Sequence, residues 1–263
     1  MNQDFLEAIA ESMEINPALL SYLPELLADF WTLGSFPEII VKTLKPLKFS
    51  TYPAKALDLG CGKRAVSVTL AKELGYQVTG VDGIVPFLEE AKTKAREYGV
   101  EKKCCFIHAD IREYIKTASG FDVVILASVG NVLGNLARTL VKLRNIIGEN
   151  GYLLIDDGFL KGEKPTHSAY DQSYRTHAES LEQLASSGDR LIKEIILSSS
   201  LIKAQNNQYL GWIIKRGKYL VKRNPQLKGL LKEYLSRQEQ ECLFLENNVI
   251  GAMWLLQKEK QGR

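Results

Sequence analysis

The chain has 263 residues, 45% hydrophobic and 25% charged, with 34 Lys+Arg against 31 Asp+Glu for a net charge of +3. That is the composition of an ordinary soluble globular protein, long enough for one large α/β domain with a cap, and its charge argues neither for nor against nucleic acid. Its four cysteines (Cys61, Cys104, Cys105, Cys242) form no CxxC pair and its three histidines are scattered, so no metal site is expected and reduced thiols in the cytoplasm are. Met1-Asn2-Gln3-Asp4 lacks the basic start of a signal peptide, and no apolar run reaches the ~18 residues of a membrane span.

Residues 4–48 read as short helices. Phe5, Leu6, Ile9 and Met13 recur at helical spacing. Pro24 suits the first turn of a helix carrying Leu26, Leu27, Phe30 and Trp31, and Phe36-Pro37 opens another that Pro46 stops. One side of these helices is too apolar to stand alone, so residues 1–50 are expected to form a helical cap on a domain at 51–263.

From Lys55 to Phe159 strands and helices alternate. Strands are predicted at Lys55–Leu59, Gln77–Asp82, Cys104–His108, Phe121–Ala127 and Gly151–Asp156, with helices at Arg64–Leu74, Pro86–Glu97, Ile111–Thr117 and Leu133–Ile147. Val123-Val124-Ile125-Leu126 is a continuous apolar run, as in a parallel sheet buried on both faces. Right-handed crossovers then give a doubly wound sheet. After a polar loop at Lys161–Thr166, Ser168–Ser186 reads as a helix, Arg190–Ser198 as a strand, 200–223 as helical or irregular, Pro225 to about Leu245 as a helix and Val249–Gln257 as a last strand.

The segment Ala56-Leu57-Asp58-Leu59-Gly60-Cys61-Gly62 breaks from a buried strand into a glycine turn, a helix follows, and the next strand ends in Asp82. Strand, glycine turn, helix, strand and terminal acid is the plan of a nucleotide-type cofactor site: the glycines let backbone approach the ligand, and the acid offers two acceptors to a ribose diol.

These segments resemble the class I S-adenosylmethionine-dependent methyltransferases over roughly Lys55 to Phe159. In that family the first strand ends in acid-x-Gly-x-Gly-x-Gly. Here Asp58-Leu59-Gly60-Cys61-Gly62-Lys63-Arg64 keeps the first two glycines and puts Arg64 at the third. The resemblance implies a seven-stranded, mostly parallel sheet, the last two strands being Arg190–Ser198 and Val249–Gln257, with a helical insertion at about 199–248. It assigns Asp82, followed by Gly83, to the ribose hydroxyls, Asp110 to the adenine amino group and Ile111 to the ring. It places the backbone of Ala127 and Ser128 beside the methionine portion, with Asp58, Gly60, Cys61 and Gly62 forming the turn. The implied reaction is in-line methyl transfer to a small molecule, leaving S-adenosylhomocysteine.

Methyl transfer asks for positioning more than for covalent help, so catalytic residues are few. Asp156, Asp157, Ser128 and Asn131 follow strand ends at the expected rim. Asp157 is a candidate to orient or deprotonate substrate, against the alternative that Asp156-Asp157-Gly158 is a capped turn. His167 and His177 have suitable free pKa values, and Tyr170, Tyr174 and His177 would share one helix face. Trp31 and Phe36 are candidate pocket walls, with core packing the commoner role, and His108 reads as a structural neighbour of Asp110.

Other readings compete. Ala65 stands where a nicotinamide-binding G-x-G-x-x-G turn has its third glycine, but Asp58, Asp110 and the missing hydride-transfer constellation disfavour that oxidoreductase. Lys215, Arg216, Lys218, Lys222, Arg223, Lys228 and Lys232, interleaved with Trp212 and Tyr219, would suit an RNA-modifying enzyme, although a solvated helix face is the commoner explanation. Arg64 raises a third option, a scaffold that kept the fold and lost transfer.

Overall fold

The computed structural model describes residues 3–49, 52–162 and 174–259. Its helices are α1 (Gln3–Ser12), α2 (Leu23–Leu26), α3 (Pro37–Leu44), α4 (Ala65–Glu73), α5 (Val85–Glu97), α6 (Ile111–Tyr114), α7 (Leu136–Arg144), α8 (His177–Ala185), α9 (Ser199–Arg223) and α10 (Lys228–Asn248). Its strands are β1 (Lys55–Leu59), β2 (Gln77–Asp82), β3 (Cys104–His108), β4 (Phe121–Ala127), β5 (Ile147–Leu160), β6 (Arg190–Ile196) and β7 (Val249–Gln257). The seven strands form one sheet in the order β3-β2-β1-β4-β5-β7-β6. β1 pairs parallel with β2 and β4, β2 with β3, and β4 with β5. The carboxyl ends of these five strands therefore finish on one side of the sheet, where open α/β sheets bind ligands.

The central strands are apolar throughout because helices cover both faces. Ala56, Leu57 and Leu59 of β1, Val123, Val124 and Ile125 of β4, and Leu153, Leu154 and Ile155 of β5 are all buried. Two strand stretches depart from expectation. β5 runs through Asp156-Asp157-Gly158, which is therefore strand and not a capped turn. Gly158 is there for close approach: a Cβ on it would lie 2.7 Å from Val249 Cγ1 and 2.9 Å from the Ile250 carbonyl oxygen. Of the helix expected over Ser168–Ser186, residues 174–176 are not helical, because Leu160 N–H donates to the Arg175 carbonyl at 2.8 Å and Leu160 bridges Thr176; α8 starts at His177, and 168–173 lie outside the described residues. Tyr174 precedes the helix, so it shares no helical face with His177; His167 and Tyr170 lie outside the described residues.

The chain divides into two compact units. One holds residues 31–157, 177–195 and 252–263, and with them most of the sheet. Within it, Trp254 is fully buried and donates from Nε1 to Glu194 Oε1 at 2.7 Å. The other unit holds 1–30, 158–176 and 196–251. Its core packs Phe30 against Tyr209 and Trp212, with ring centroids 4.3 and 5.3 Å apart. Ile213, Gly217 and Leu220 form the buried stripe of α9, a single 25-residue helix. Part of the basic run is neutralised inside this unit: Arg216 forks onto Asp29, and Arg223 pairs with Glu25.

Gly80 in β2 sets how closely the sheet packs beneath the glycine turn. A Cβ there would meet Cys61 Sγ at 2.9 Å and both Phe106 Cδ1 and Ser67 Oγ at 3.1 Å. Gly80→Ala is expected to lower stability by about 1–3 kcal/mol through overpacking. A urea midpoint equal to that of the parent would contradict this packing.

Candidate active site

The turn after β1 takes its shape from backbone conformations that glycine adopts freely. Gly60 has φ +65° and Gly62 φ +49°. A Cβ on Gly60 would sit 2.6 Å from Val129 Cγ2, and one on Gly62 2.6 Å from Leu33 Cδ1, so both strain and space require glycine. Cys61 N–H donates to the Val81 carbonyl at 3.0 Å, which fastens the turn to β2. The Asp82 carboxylate then closes the corner: Oδ2 accepts from Gly62 N–H at 2.7 Å and Oδ1 from Ile84 N–H at 2.8 Å. Burial raises its pKa, and those two amides with the Arg64 charge oppose the rise.

Arg64 does not obstruct this turn. It holds a left-handed backbone conformation, φ +68°, of the kind glycine adopts freely, and its side chain is 1% exposed. Nε donates to Cys61 Sγ at 3.3 Å, Nη1 donates to the carbonyls of Leu88 at 2.7 Å and Phe87 at 3.3 Å, and the guanidinium carbon stands 4.1 Å from the Phe106 ring centroid. Nη2 has no hydrogen-bond partner among the described residues. Beside it Lys63, equally buried, places Nζ 2.9 Å from Glu90 Oε2. On β1, Asp58 accepts from Ser67 Oγ at 2.6 Å, and burial lifts its pKa to about 6 against the pull of Ser67 and Arg64.

A crevice opens over this turn, lined by Asp58, Gly60, Cys61, Gly62, Lys63, Arg64 and Ala127, with Trp31, Leu33 and Ser35 forming its other wall. Gly34 lies so close to Ser128 that a Cβ on it would meet Ser128 Cβ at 2.9 Å. The sequence suggested Trp31 as a wall; Leu33 and Ser35 carried no local signal for this contact, which spans some thirty residues of chain. Further along the edge Asp110 caps α6 through Arg112 N–H at 2.8 Å and takes a two-pronged ion pair from the Arg112 guanidinium. Burial pushes its pKa up, but the Arg112 contacts outweigh this and hold it below the ordinary value. Ile111 is buried behind it. Gly83 offers its carbonyl 3.1 Å from His108 Nε2.

A second cavity lies beyond β4 and β5, and Leu126, Val129, Asn131, Thr139, Asp156 and Asp157 are among its lining residues. It adjoins the crevice across β4, and Val129, which packs on Gly60, stands between them. Asp156 pairs in register with Ala127 and is 8% exposed. Its Oδ2 accepts from Ser128 Oγ at 3.4 Å, a long bond from a residue held at φ +56°. Burial and then the neighbouring Asp157 push its pKa up to about 8. Thus Asp157 does line the cavity, half-buried, next to the more deeply buried Asp156. His177 lines neither cavity; its Nε2 stands 2.8 Å from Glu194 Oε1, the oxygen that also accepts from Trp254.

Residues 53–218 match the model of a methyltransferase domain. The chain belongs to that family. Over 141 residues it is 29% identical to the ubiquinone biosynthesis O-methyltransferase of Rickettsia felis, a match covering 54% of this chain and 49% of that protein. The chain thus spans about half the length of the curated relative it matches. An S-adenosylmethionine-dependent methyltransferase from Thiobacillus denitrificans, solved with S-adenosylhomocysteine, superposes with a TM-score of 0.75 at 20% identity, covering 90% of this chain and 98% of that one. YjhP from Escherichia coli superposes with the same score at 17% identity, over 91% and 100%. The fold of this methyltransferase-family chain is accordingly the doubly wound class I fold that the sequence pattern implied.

Two stability measurements follow from the buried charges. Arg64→Gly removes backbone strain of about 1–3 kcal/mol, but it also removes every contact of a buried cation beside Asp58 and Asp82, a loss of about 3–5 kcal/mol. The variant is therefore expected to be less stable in urea; a gain would show that strain dominates. Asp156 gives a pH signature. Between its unfolded pKa near 4 and about 8 the folded state holds a proton that the unfolded state has lost, so stability falls as pH rises through that window. Asp156→Asn is expected to remove that slope, gaining on the parent by on the order of a few kcal/mol from pH 5 to pH 8. Parallel stability curves would contradict the buried, protonated carboxyl.

Proposed function

We propose that this methyltransferase-family protein moves a methyl group from S-adenosylmethionine to a small-molecule acceptor. The observation that carries the reading is the Asp82 carboxylate, held by Gly62 and Ile84 amides at the end of β2 beside a glycine turn with no room for side chains. Each of its oxygens keeps a second lone pair, so the pair can still accept both hydroxyls of a ribose. S-adenosylmethionine, when bound, supplies an electrophilic methyl group. Everything else falls to the chain: Gly60 to Gly62 admit the ligand backbone-close, Asp82 takes the ribose, and Ile111 offers an apolar wall to the base. Ala127 and Ser128 flank the methionine portion, and Trp31, Leu33 and Ser35 keep water from the turn. Asp110, already gripped by Arg112, has acceptor capacity left for an adenine amino group.

A small acceptor suits the second cavity, which is bounded by the ends of two adjacent strands and by the start of α7. No described helix is long and apolar enough to cross a membrane. The four free thiols suit a reducing compartment, and we place the protein in the cytoplasm. A non-catalytic scaffold is disfavoured because the buried Arg64 side chain is engaged by Cys61, Phe87, Leu88 and Phe106, where it braces the turn.

Calorimetric titration tests the reading. S-adenosylmethionine and S-adenosylhomocysteine are expected to bind with micromolar affinity and NAD not at all, and Asp82→Ala is expected to weaken both by about 10- to 100-fold, the worth of charged hydrogen bonds to a ribose. Unchanged affinity in that variant would remove Asp82 from the site.

A further inference from the structure

We propose that the cavity at the carboxyl ends of β4 and β5 takes an amine as methyl acceptor, and that Asp156 receives the proton the amine sheds. The proposal rests on the methyl-transfer reading above and names its acceptor class and base. Position comes first. The crevice reaches Ala127 on one side of β4, and the cavity begins at Leu126 and Val129 and ends at Asp156 and Asp157 on β5. An acceptor in this cavity is therefore the next neighbour of whatever lies beside Ala127, with adjacent strands only ~4.8 Å apart.

Charge comes second. Among the described residues, two carboxyl groups line the cavity, joined by the neutral Asn131 and Thr139, and no Lys, Arg or His does. A carboxylate, phosphate or phenolate would enter against that field, whereas an ammonium group enters with it.

Satisfaction comes third. Asp156 is 8% exposed, yet the only hydrogen bond to its carboxyl group among the described residues is the 3.4 Å contact from Ser128 to Oδ2. A carboxyl group so weakly held by its own chain has acceptor capacity left for a ligand. An N–H donor in the cavity completes it.

The chemistry matches that placement. An amine near neutral pH carries one proton too many to attack. With Asp156 ionised, that proton passes from nitrogen to a carboxylate oxygen and frees the lone pair. The acceptor nitrogen then bonds to the methyl carbon as the carbon–sulfur bond breaks, its electron pair remaining on sulfur. The products are a protonated methylated amine, neutral S-adenosylhomocysteine and a protonated Asp156, which returns its proton to solvent. Asp157, the other carboxyl at the cavity, and the Ser128 hydroxyl are the groups that tune Asp156. The carboxyl's pKa of about 8 is close to working pH, as an efficient base requires.

The test uses the full chain saturated with S-adenosylhomocysteine. Benzylamine and N-methylbenzylamine are titrated at pH 7 in two buffers of different ionisation enthalpy, against phenol and benzoate of similar size. The amines are expected to bind with release of about one proton, as Asp156 ionises to meet the ammonium. Asp156→Asn is expected to weaken amine binding at least ~10-fold, for a charged hydrogen bond, and to abolish the proton release. With S-adenosylmethionine instead, amine methylation is expected to rise with pH to a plateau above about 8 and to fall ~100-fold or more, without that rise, in Asp156→Asn. Preference for phenol or benzoate, absence of amine binding at millimolar concentration, or an unaltered pH profile in the variant would each overturn the proposal. Each would leave the methyl-transfer reading standing, because that reading fails only if the sulfur cofactors themselves do not bind.

Discussion

The Asp82 carboxylate, accepting from Gly62 N–H and Ile84 N–H, is the contact on which the rest of the site depends. It ties the turn after β1 to the end of β2 and fixes the first residues of α5, so three elements share one anchor. Its position follows from the sheet: β1 and β2 are paired in parallel register from Lys55–Gln77 to Leu59–Val81, so both strands end level and the acid faces the glycines. Two amides stabilise the charged form where burial would neutralise it. A free carboxylate at this corner would cost more to bury and would point less reliably.

Around that anchor the protein buries two acids and two cations, Asp58 and Asp82 with Lys63 and Arg64. Burying charge is expensive unless partners are close, and here the partners come from every neighbouring element: Ser67 on α4, Glu90 and two carbonyls on α5, and Cys61 in the turn. Arg64 accepts the left-handed backbone that a glycine would take without strain. In exchange its guanidinium reaches from the turn to α5 and stacks on Phe106. The departure from the family's glycine pattern is thus a buried brace in the crevice wall.

Much of this was legible in the sequence. β1 to β4 and β7 lie where the strand–helix alternation placed them, and β4, covered on both faces, carries the unbroken apolar run Val123–Leu126. Glycines and strand-end acids announced the crevice for the same local reason. What stayed hidden depends on contacts far apart in the chain. Asp156-Asp157-Gly158 reads locally as a turn and becomes strand only because Val249 and Ile250 pack against Gly158. Hence the sequence pointed to Asp157 as the working acid, whereas the continued strand puts Asp156 in the protein interior beside Ser128. Leu33 and Ser35 reach the glycine turn from an irregular segment with no periodicity to betray it. Nothing in the letter Arg predicts a positive φ at position 64.

The central claim is that Asp82 and the glycine turn hold the adenosine of a sulfur cofactor. A crystal structure of the protein soaked with S-adenosylhomocysteine tests it most directly. The account predicts density in the crevice between Gly60–Gly62 and Ala127, with both ribose hydroxyls against the Asp82 carboxylate and the sulfur towards β4. An empty crevice at saturating ligand, or a ribose bound away from Asp82, would contradict it.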